Sequence, residues 1–400
     1  MTPGLSDLDA TGQAELVRDG EVSPLELVDH SIGQIELHDP SVAALVAPLF
    51  DAARAAAASP ELAPGGPFRG VPFLLKDIGA CQAGVPHSMG NAVLRDLGWR
   101  CPEDSPLGAR LRRAGFVAVG TSKAPELGSQ PTTQPVAFGP TRNPWDLTRS
   151  ASGSSGGAAA AVAARMVPLA HGSDVSGSIR LPAGACGVVG LKPSRGRTAL
   201  GPIVSRSLTE HVITRSVRDT AAALDALAGP EAGDLFLAPP PERTYAEEVG
   251  ADPGRLRVGV LTDLDATGIE VDPVCAAAAM ETGRALEALG HQVEASGPAA
   301  LFDDAFLAHW LATTACELRG QIEALGPLIG RPVTAADVEP YQWAFAALGP
   351  ASAGEYLTSA GWLQGYTARL ARWWADGFDL LVTPTSSEPP PPLDELIPAP

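Results

Sequence analysis

Two clusters of glycine and serine flank the most apolar stretch of this 400-residue chain. Ser152-Gly153-Ser154-Ser155-Gly156-Gly157 comes before an alanine-rich run that reaches Ala170, and Gly172-Ser173-Asp174-Val175-Ser176-Gly177-Ser178-Ile179-Arg180 comes after it. Alone, such clusters are flexible linkers. Here they open directly into apolar sequence, and a linker is not built into the part of a chain that reads as buried. The run from Gly157 to Ala170 contains Arg165 and falls short of the ~20 residues that a membrane span needs, so it reads as a helix inside a globular protein. Glycines let a backbone turn sharply and bring N–H groups close to a ligand. Serines supply nucleophilic or proton-relaying hydroxyls, and consecutive N–H groups in such a turn can cradle an oxyanion.

A serine nucleophile needs a base, and the chain is sparing with one candidate type. It has only three lysines, Lys76, Lys123 and Lys192, and each lies in a compact motif. Arginine stays charged at any pH a protein meets, so a position that keeps lysine in an arginine-rich chain is a candidate for an amine that must lose its proton. Lys76, in Gly70-Val71-Pro72-Phe73-Leu74-Leu75-Lys76-Asp77, is the first candidate base; Lys123 and Lys192 read as packing or pairing residues. His171 has no acid partner in sequence reach and reads as a packed histidine.

Composition narrows the class. Hydrophobic residues make up 45% and charged residues 18%, which predicts a globular chain, and the net charge of −18 disfavours nucleic acid and anionic membrane surfaces as partners. The five cysteines are scattered without CxxC, which fits free thiols in a reducing cytoplasm, and no histidine pair has metal-ligand spacing, so neither a metal nor a cofactor is expected. Nucleotide-binding patterns are absent, and no signal peptide is read at the N-terminus.

Strands alternating with helices predict an α/β layered fold. Helices are expected within 8–58, over Pro106 to Ala114 and over Val217 to Leu227, with strands at 70–80, 115–121 and 186–192. The stretch 139–157 reads as loop and 172–178 as a glycine-serine segment. A βα unit begins at Arg257, residues 302–375 read as mostly helical, Phe378 to Val382 as a strand, and the chain closes in a proline-rich tail ending Pro398-Ala399-Pro400. Gly153 to Gly157 fits the GxSxG nucleophile elbow, which must follow a strand; the loop expected before it sets that motif aside.

GVPFLLKD, GPTRNPWD, SGSSGG, GSDVSGSIRLPA, GVVGLKPSRGR and TRSVRD follow one another as in the amidase signature family, which the chain resembles from its N-terminal helices to at least residue 228 and more weakly to the end; the local likeness is greatest to bacterial cyclic-amide (nylon-oligomer) hydrolases. The resemblance implies an α/β fold with a mixed sheet covered by helices on both faces, and one amidase domain over 1–400: a signature core at 8–228, a surface excursion at 229–255, and a βα and helical substrate-side region at 256–400. It implies a Ser-Ser-Lys triad with Ser178 as nucleophile, Ser154 after a cis peptide bond as relay, and Lys76 as base. The oxyanion hole falls on the N–H groups of Val175, Ser176, Gly177 and Ser178, with Ser155, Asp174 and Arg180 in support. Gln130, Thr132, Thr133 and Gln134 form a polar loop that could line the substrate site together with Cys316. The implied reaction is hydrolysis of a small-molecule amide in the cytoplasm; a homodimer stays open.

Three departures from the family pattern stand out. Serine replaces the usual glycine at 152 and 176, serine replaces threonine at 173, and a C-terminal segment that normally follows the stretch matched by Thr383-Pro384-Thr385 is not found. Two rival readings follow: an amidase-fold protein made inert by Ser176 and the missing segment, and an amidotransferase subunit acting on charged tRNA, which the acidic balance disfavours.

Overall fold

Helix ends fall where local chemistry puts them. Ser23 accepts the Glu26 N–H while the Glu26 carboxylate takes the Ser23 N–H, a capping box that starts a helix with Pro24 at its first position. Ser105 caps Pro106–Ala114 and Gly115 closes it at φ 96°, so the expected bounds of that helix hold, as they do for Val217–Leu227 after the Ser216 cap.

The computed structural model describes residues 4–201, 205, 207–264, 268–350, 352–393, 395 and 396; the expected tail at Pro398 to Pro400 lies outside them. The chain divides into two compact units, 1–250 with 325–339 and 390–400, and 251–324 with 340–389. In the first, the elements run α1 (Ala10–Arg18), α2 (Pro24–Val42), β1 (Leu45–Pro48), α3 (Phe50–Ala58), β2 (Pro72–Lys76), α4 (Ala92–Asp96), α5 (Pro106–Ala114), β3 (Val117–Ser122), β4 (Arg142–Asn143), β5 (Asp146–Ser150), α6 (Gly156–Ala163), β6 (Leu169–Asp174), α7 (Arg180–Cys186), β7 (Val189–Gly190), β8 (Thr209–Thr214), α8 (Val217–Leu227) and α9 (Tyr245–Glu248). The second holds β9 (Arg257–Val260), α10 (Pro273–Ala288), β10 (Gln292–Ala295), most of α11 (Phe306–Ile329), α12 (Pro340–Ala347), α13 (Ala353–Ala375) and β11 (Leu380–Val382), its three strands forming a parallel sheet in the order β10-β9-β11.

The sheet of the first unit is mixed. Its order is β1-β3-β2-β6-β8-β7, with β2 parallel to β3 and β6, and antiparallel pairs at β1–β3, β6–β8 and β7–β8. Alternation along the strands gives it two apolar faces. Leu74, Ala170 and Ile213 join one cluster with residues of α2, α3, α6 and α7; Phe73, Leu75, Leu169 and Val212 join the other with residues of α1, α5 and α8. The expected mixed sheet with helices on both faces is therefore found.

Three local expectations change. Residues 172–174 are strand rather than a glycine-serine loop: β6 runs through Asp174, all six residues buried, because it pairs along its whole length with β8. β8 itself (Thr-Glu-His-Val-Ile-Thr) carries no obvious hydrophobic alternation, which hid it. The expected strand at 186–192 shrinks to Val189–Gly190 because α7 extends to Cys186. The stretch expected as loop before Gly153 contains β5, but β5 pairs with β4 in a two-stranded ribbon, bridged further to Pro392, and is not a strand of the main sheet, so the serine cluster does not leave such a strand as a nucleophile elbow does. No helix of the described residues is long and apolar enough to cross a membrane.

Candidate active site

β2 and β6 run parallel in the register Phe73↔Leu169 and Leu74↔Ala170, so their carboxyl ends reach the same edge of the sheet. Lys76 ends β2 there, fully buried, beside Ser173 of β6. Its Nζ lies 2.7 Å from Ser154 Oγ, 2.9 Å from Ser173 Oγ and 3.4 Å from the Ser173 carbonyl oxygen. No carboxylate comes within ion-pair distance of this amine among the described residues. Burial pulls its pKa from 10.5 down to about 7, against the opposing pull of the Glu210 and Asp174 carboxylates. The Ser173 hydroxyl was not foreseen as an Nζ partner; serine keeps the hydroxyl that the family's threonine would carry.

The loop bearing Ser154 is pinned from several sides. The Gly153–Ser154 peptide is cis. A Cβ at Gly153 would sit 2.7 Å from the Thr132 carbonyl carbon, so the 129–134 loop and the serine loop pack backbone to backbone. Thr133 Oγ1 donates to the Ser152 carbonyl at 2.9 Å and accepts the Gly156 N–H at 3.1 Å. Thr132 Oγ1 and Ser150 Oγ share a hydrogen bond of 2.9 Å, and Gln134 Nε2 donates to Thr132 Oγ1 at 2.8 Å. Thr133 and its neighbours thus brace the serine loop, while Gln130 is buried in the same stretch. Cys316 lies on α11 in the second unit.

Ser178 stands at the foot of α7, half-buried, and its carbonyl accepts the Ser155 N–H at 3.1 Å, which ties the two glycine-serine clusters together. The Ser155 hydroxyl completes the tie by donating to the Ser173 carbonyl at 3.3 Å. Among the described residues no hydrogen bond joins the Ser154 and Ser178 hydroxyls. Catalytic hydrogen bonds are often long without substrate and tighten when it binds.

Asp174 organises the turn between them. It accepts the Gly177 N–H at 2.7 Å and the Ile179 N–H at 3.1 Å, and Arg180 grips it with two bonds of 2.9 and 3.0 Å. Burial pushes this carboxyl up, but Arg180 and the two N–H groups outweigh it and hold the pKa below its ordinary value. Gly177 has φ 128°, and a Cβ there would lie 3.0 Å from Leu181, so only glycine fits. Its N–H points into the Asp174 carboxylate. Ser176, by contrast, is exposed and is not among the described residues with positive φ, so serine sits in this turn without backbone strain. Ser152 does adopt φ 59°, the left-handed region where the family's glycine is favoured. Removing the Asp174 acceptor should loosen the turn. Asp174→Ala is expected to lose ~2–4 kcal/mol of stability by denaturant unfolding, the order of two buried N–H groups left without partners.

Behind Lys76 lies a second buried group. His171 Nδ1 accepts the Lys76 backbone N–H at 3.3 Å, and its Nε2 stands 3.8 Å from Glu210 Oε1, which in turn accepts the Ala80 N–H at 2.8 Å. Burial pulls the imidazole down to about 3, with the Lys76 amine adding to the effect, and pushes Glu210 up to about 7. His171 is therefore a neutral packing residue, as expected. Glu210 was missed: only the register Ser173↔Glu210 brings it to the site. Lys123 is also buried, its Nζ 3.0 Å from the Phe138 carbonyl, which agrees with a structural role.

An amine held near neutrality against two serine hydroxyls, with glycine-rich backbone turning beside them, is equipped for acyl transfer between hydroxyls and amides. The chain belongs to the amidase family, hydrolases of carbon–nitrogen amide bonds, whose family model matches residues 26–399. It is 44% identical over 396 residues to a 6-aminohexanoate-cyclic-dimer hydrolase of Pseudomonas sp. (strain NK87), covering 97% of this chain and 80% of that protein. The solved structure of 6-aminohexanoate cyclic dimer hydrolase complexed with substrate superposes with a TM-score of 0.95 at 43% identity, over 99% of this chain and 83% of that one. A bacterial aryl acylamidase of the amidase signature family superposes with a TM-score of 0.86 at 29% identity, over 96% and 81% of the two chains.

Proposed function

We propose that this amidase works through Lys76, Ser154 and Ser178 and an acyl-enzyme intermediate. The observation that carries the reading is the fully buried Lys76 amine, 2.7 Å from the Ser154 hydroxyl and lowered to about 7. A neutral amine has two N–H bonds and one lone pair. Its two hydrogens fit the hydroxyl and carbonyl of Ser173, which leaves the lone pair for the Ser154 proton. As Lys76 takes that proton, Ser154 takes the one from Ser178, and Ser178 Oγ attacks the amide carbon. The N–H groups of Val175, Ser176 and Ser178 are the donors that remain for the oxyanion, since that of Gly177 is held by Asp174. Collapse returns the proton through Ser154 to the leaving nitrogen, releasing ammonia or an amine. Water then cleaves the ester on Ser178 by the same relay.

The likeness to cyclic-dimer hydrolases makes a small cyclic amide of an ω-amino acid the first substrate to try, with linear aliphatic and aryl amides beside it. Hydrolysis of at least one by the wild type supports the reading; a chain inert to the whole panel sinks it. The inert-protein alternative rests on Ser176 and on the missing C-terminal segment; of these, Ser176 is exposed. Ser176→Gly should accordingly change kcat/KM by less than about fivefold; a gain of several orders of magnitude would revive that alternative.

The base must be neutral to act, so kcat/KM should rise with pH through a midpoint near 7. Glu210 titrates in the same range, and its negative charge raises the Lys76 pKa. Glu210→Gln should therefore move the midpoint to lower pH. A profile flat from pH 6 to 9, or a midpoint moved upward in the variant, contradicts the assignment.

A further inference from the structure

The GPTRNPWD stretch at 139–146 lies outside the lysine and serine cluster, but two of its side chains reach the last turn of α7. A helix leaves its last four carbonyls without partners of its own. In α7 two of them are met by backbone: Gly187, at φ 67°, donates to the Gly184 carbonyl at 3.4 Å, and Val188 to that of Ala183 at 3.0 Å. The other two are met by side chains. Asn143 Nδ2 donates to the Ala185 carbonyl and Trp145 Nε1 to the Cys186 carbonyl, each at 2.8 Å. The buried Asn143 amide is fully engaged, since Nδ2 also reaches the Ser150 carbonyl at 3.4 Å and Oδ1 accepts the Trp145 N–H at 3.0 Å.

From Ser150 the connection runs on to the loop of Ser154. Ser150 Oγ accepts the Ser152 N–H at 3.0 Å, which holds Ser152 at φ 59° two residues before Ser154. Ser150 is itself held from the other side of β5 by residues 390–393. Its N–H donates to the Pro391 carbonyl at 2.9 Å, and the Leu393 N–H donates to the Thr148 carbonyl at 3.0 Å. Pro392 bridges Arg149 at a position where these two bonds need no N–H from it, so proline fits this edge.

We propose that Asn143 is a positioning residue for amide hydrolysis, with Trp145 beside it: together they fix α7, and so Ser178, against the loop that carries Ser154. This rests on the reading of Ser178 as nucleophile and Ser154 as relay. The two elements already meet at one point, where the Ser155 N–H donates to the Ser178 carbonyl. A short helix tied at one point swings about it. α7 has seven residues, a length of ~10 Å, and Asn143 and Trp145 hold the end away from Ser178. With both ends tied, the swing is stopped and the two hydroxyls keep their places.

The test is amide hydrolysis by two variants, with the folded fraction measured by circular dichroism. Asn143→Leu keeps the size of the side chain and removes its hydrogen bonds. Its kcat per folded molecule should fall about a hundredfold, the loss that a ~1 Å misplacement produces, with KM within about threefold of wild type. Trp145→Phe removes only the bond to Cys186, from a ring that is 76% exposed, so folding is not at risk. Its kcat should fall at least about threefold, and it decides alone if Asn143→Leu does not fold. Neither residue touches Lys76 or its partners, so the pH midpoint of kcat/KM should stay at the wild-type value. Wild-type kcat per folded molecule with only a lower melting temperature would overturn the proposal, as would a moved midpoint. Wild-type hydrolysis by Ser178→Ala would instead bring down the nucleophile reading beneath it.

Discussion

Lys76→Met should lower kcat/KM by ~10²–10⁴ while leaving the protein folded. The two side chains have similar length and volume, so the buried slot stays filled. What disappears is the base proposed for the Ser154 proton, and general bases of this kind contribute ~10²–10⁴ in rate. Arginine is no substitute at this position because it cannot lose its proton. Stability should move the other way. The folded amine has a pKa of about 7 and the unfolded one 10.5, so between these values the unfolded chain holds a proton that the folded chain has released. This group therefore opposes folding fully below pH 7, and the opposition fades as pH rises towards 10.5. Methionine removes it, so the variant's advantage over wild type in denaturant unfolding should be largest at or below neutral pH and shrink towards pH 10. Wild-type-like kcat/KM in Lys76→Met would remove the base from the mechanism.

Ser178→Ala should be the most damaging single change. On the proposed mechanism no acyl-enzyme forms without this oxygen, and losses for a serine nucleophile run to ~10⁴–10⁶ in kcat. Ser154→Ala should be milder, ~10²–10⁴, because Lys76 could reach the Ser178 proton through a water in the vacated space. Folding should be untouched in Ser178→Ala, since the tie between the two serine clusters runs through the Ser178 carbonyl and not its hydroxyl. Adding Lys76→Met to Ser178→Ala should cost little further activity, because groups that act as one unit are not additive. Equal and additive losses would point to separate roles.

Legibility in the sequence followed the range of the interactions. The ends of α5 and α8 could be read because their caps lie within four residues of the turn they close. β8 could not be read: Glu210, His211 and the threonines are buried by neighbours that arrive from β6 and β7, and nothing local announces it. Within the candidate site, the approach of Lys76 to Ser154 was legible because each lies in a motif, as does Ser178, whose proposed role the labelling below tests. The partners of Lys76 were not. Ser173 reaches its amine, and Glu210 the site behind it, only through the registers of β2 with β6 and of β6 with β8. The polar loop at 130–134 was noticed for possible substrate contact, yet Thr133 spends both hydrogen bonds on the serine loop. Gly177 was foreseen as an oxyanion donor, and its N–H instead faces Asp174, a pairing visible only once the turn is folded.

The nucleophile is the centre of this account, and active-site labelling tests it most directly. Wild-type protein treated with a fluorophosphonate, digested and mapped by mass spectrometry should carry the label on Ser178, in step with loss of amide hydrolysis. The Lys76→Met variant should label far more slowly. Label on Ser154 or another serine, or full loss of hydrolysis with Ser178 unmodified, would contradict the account.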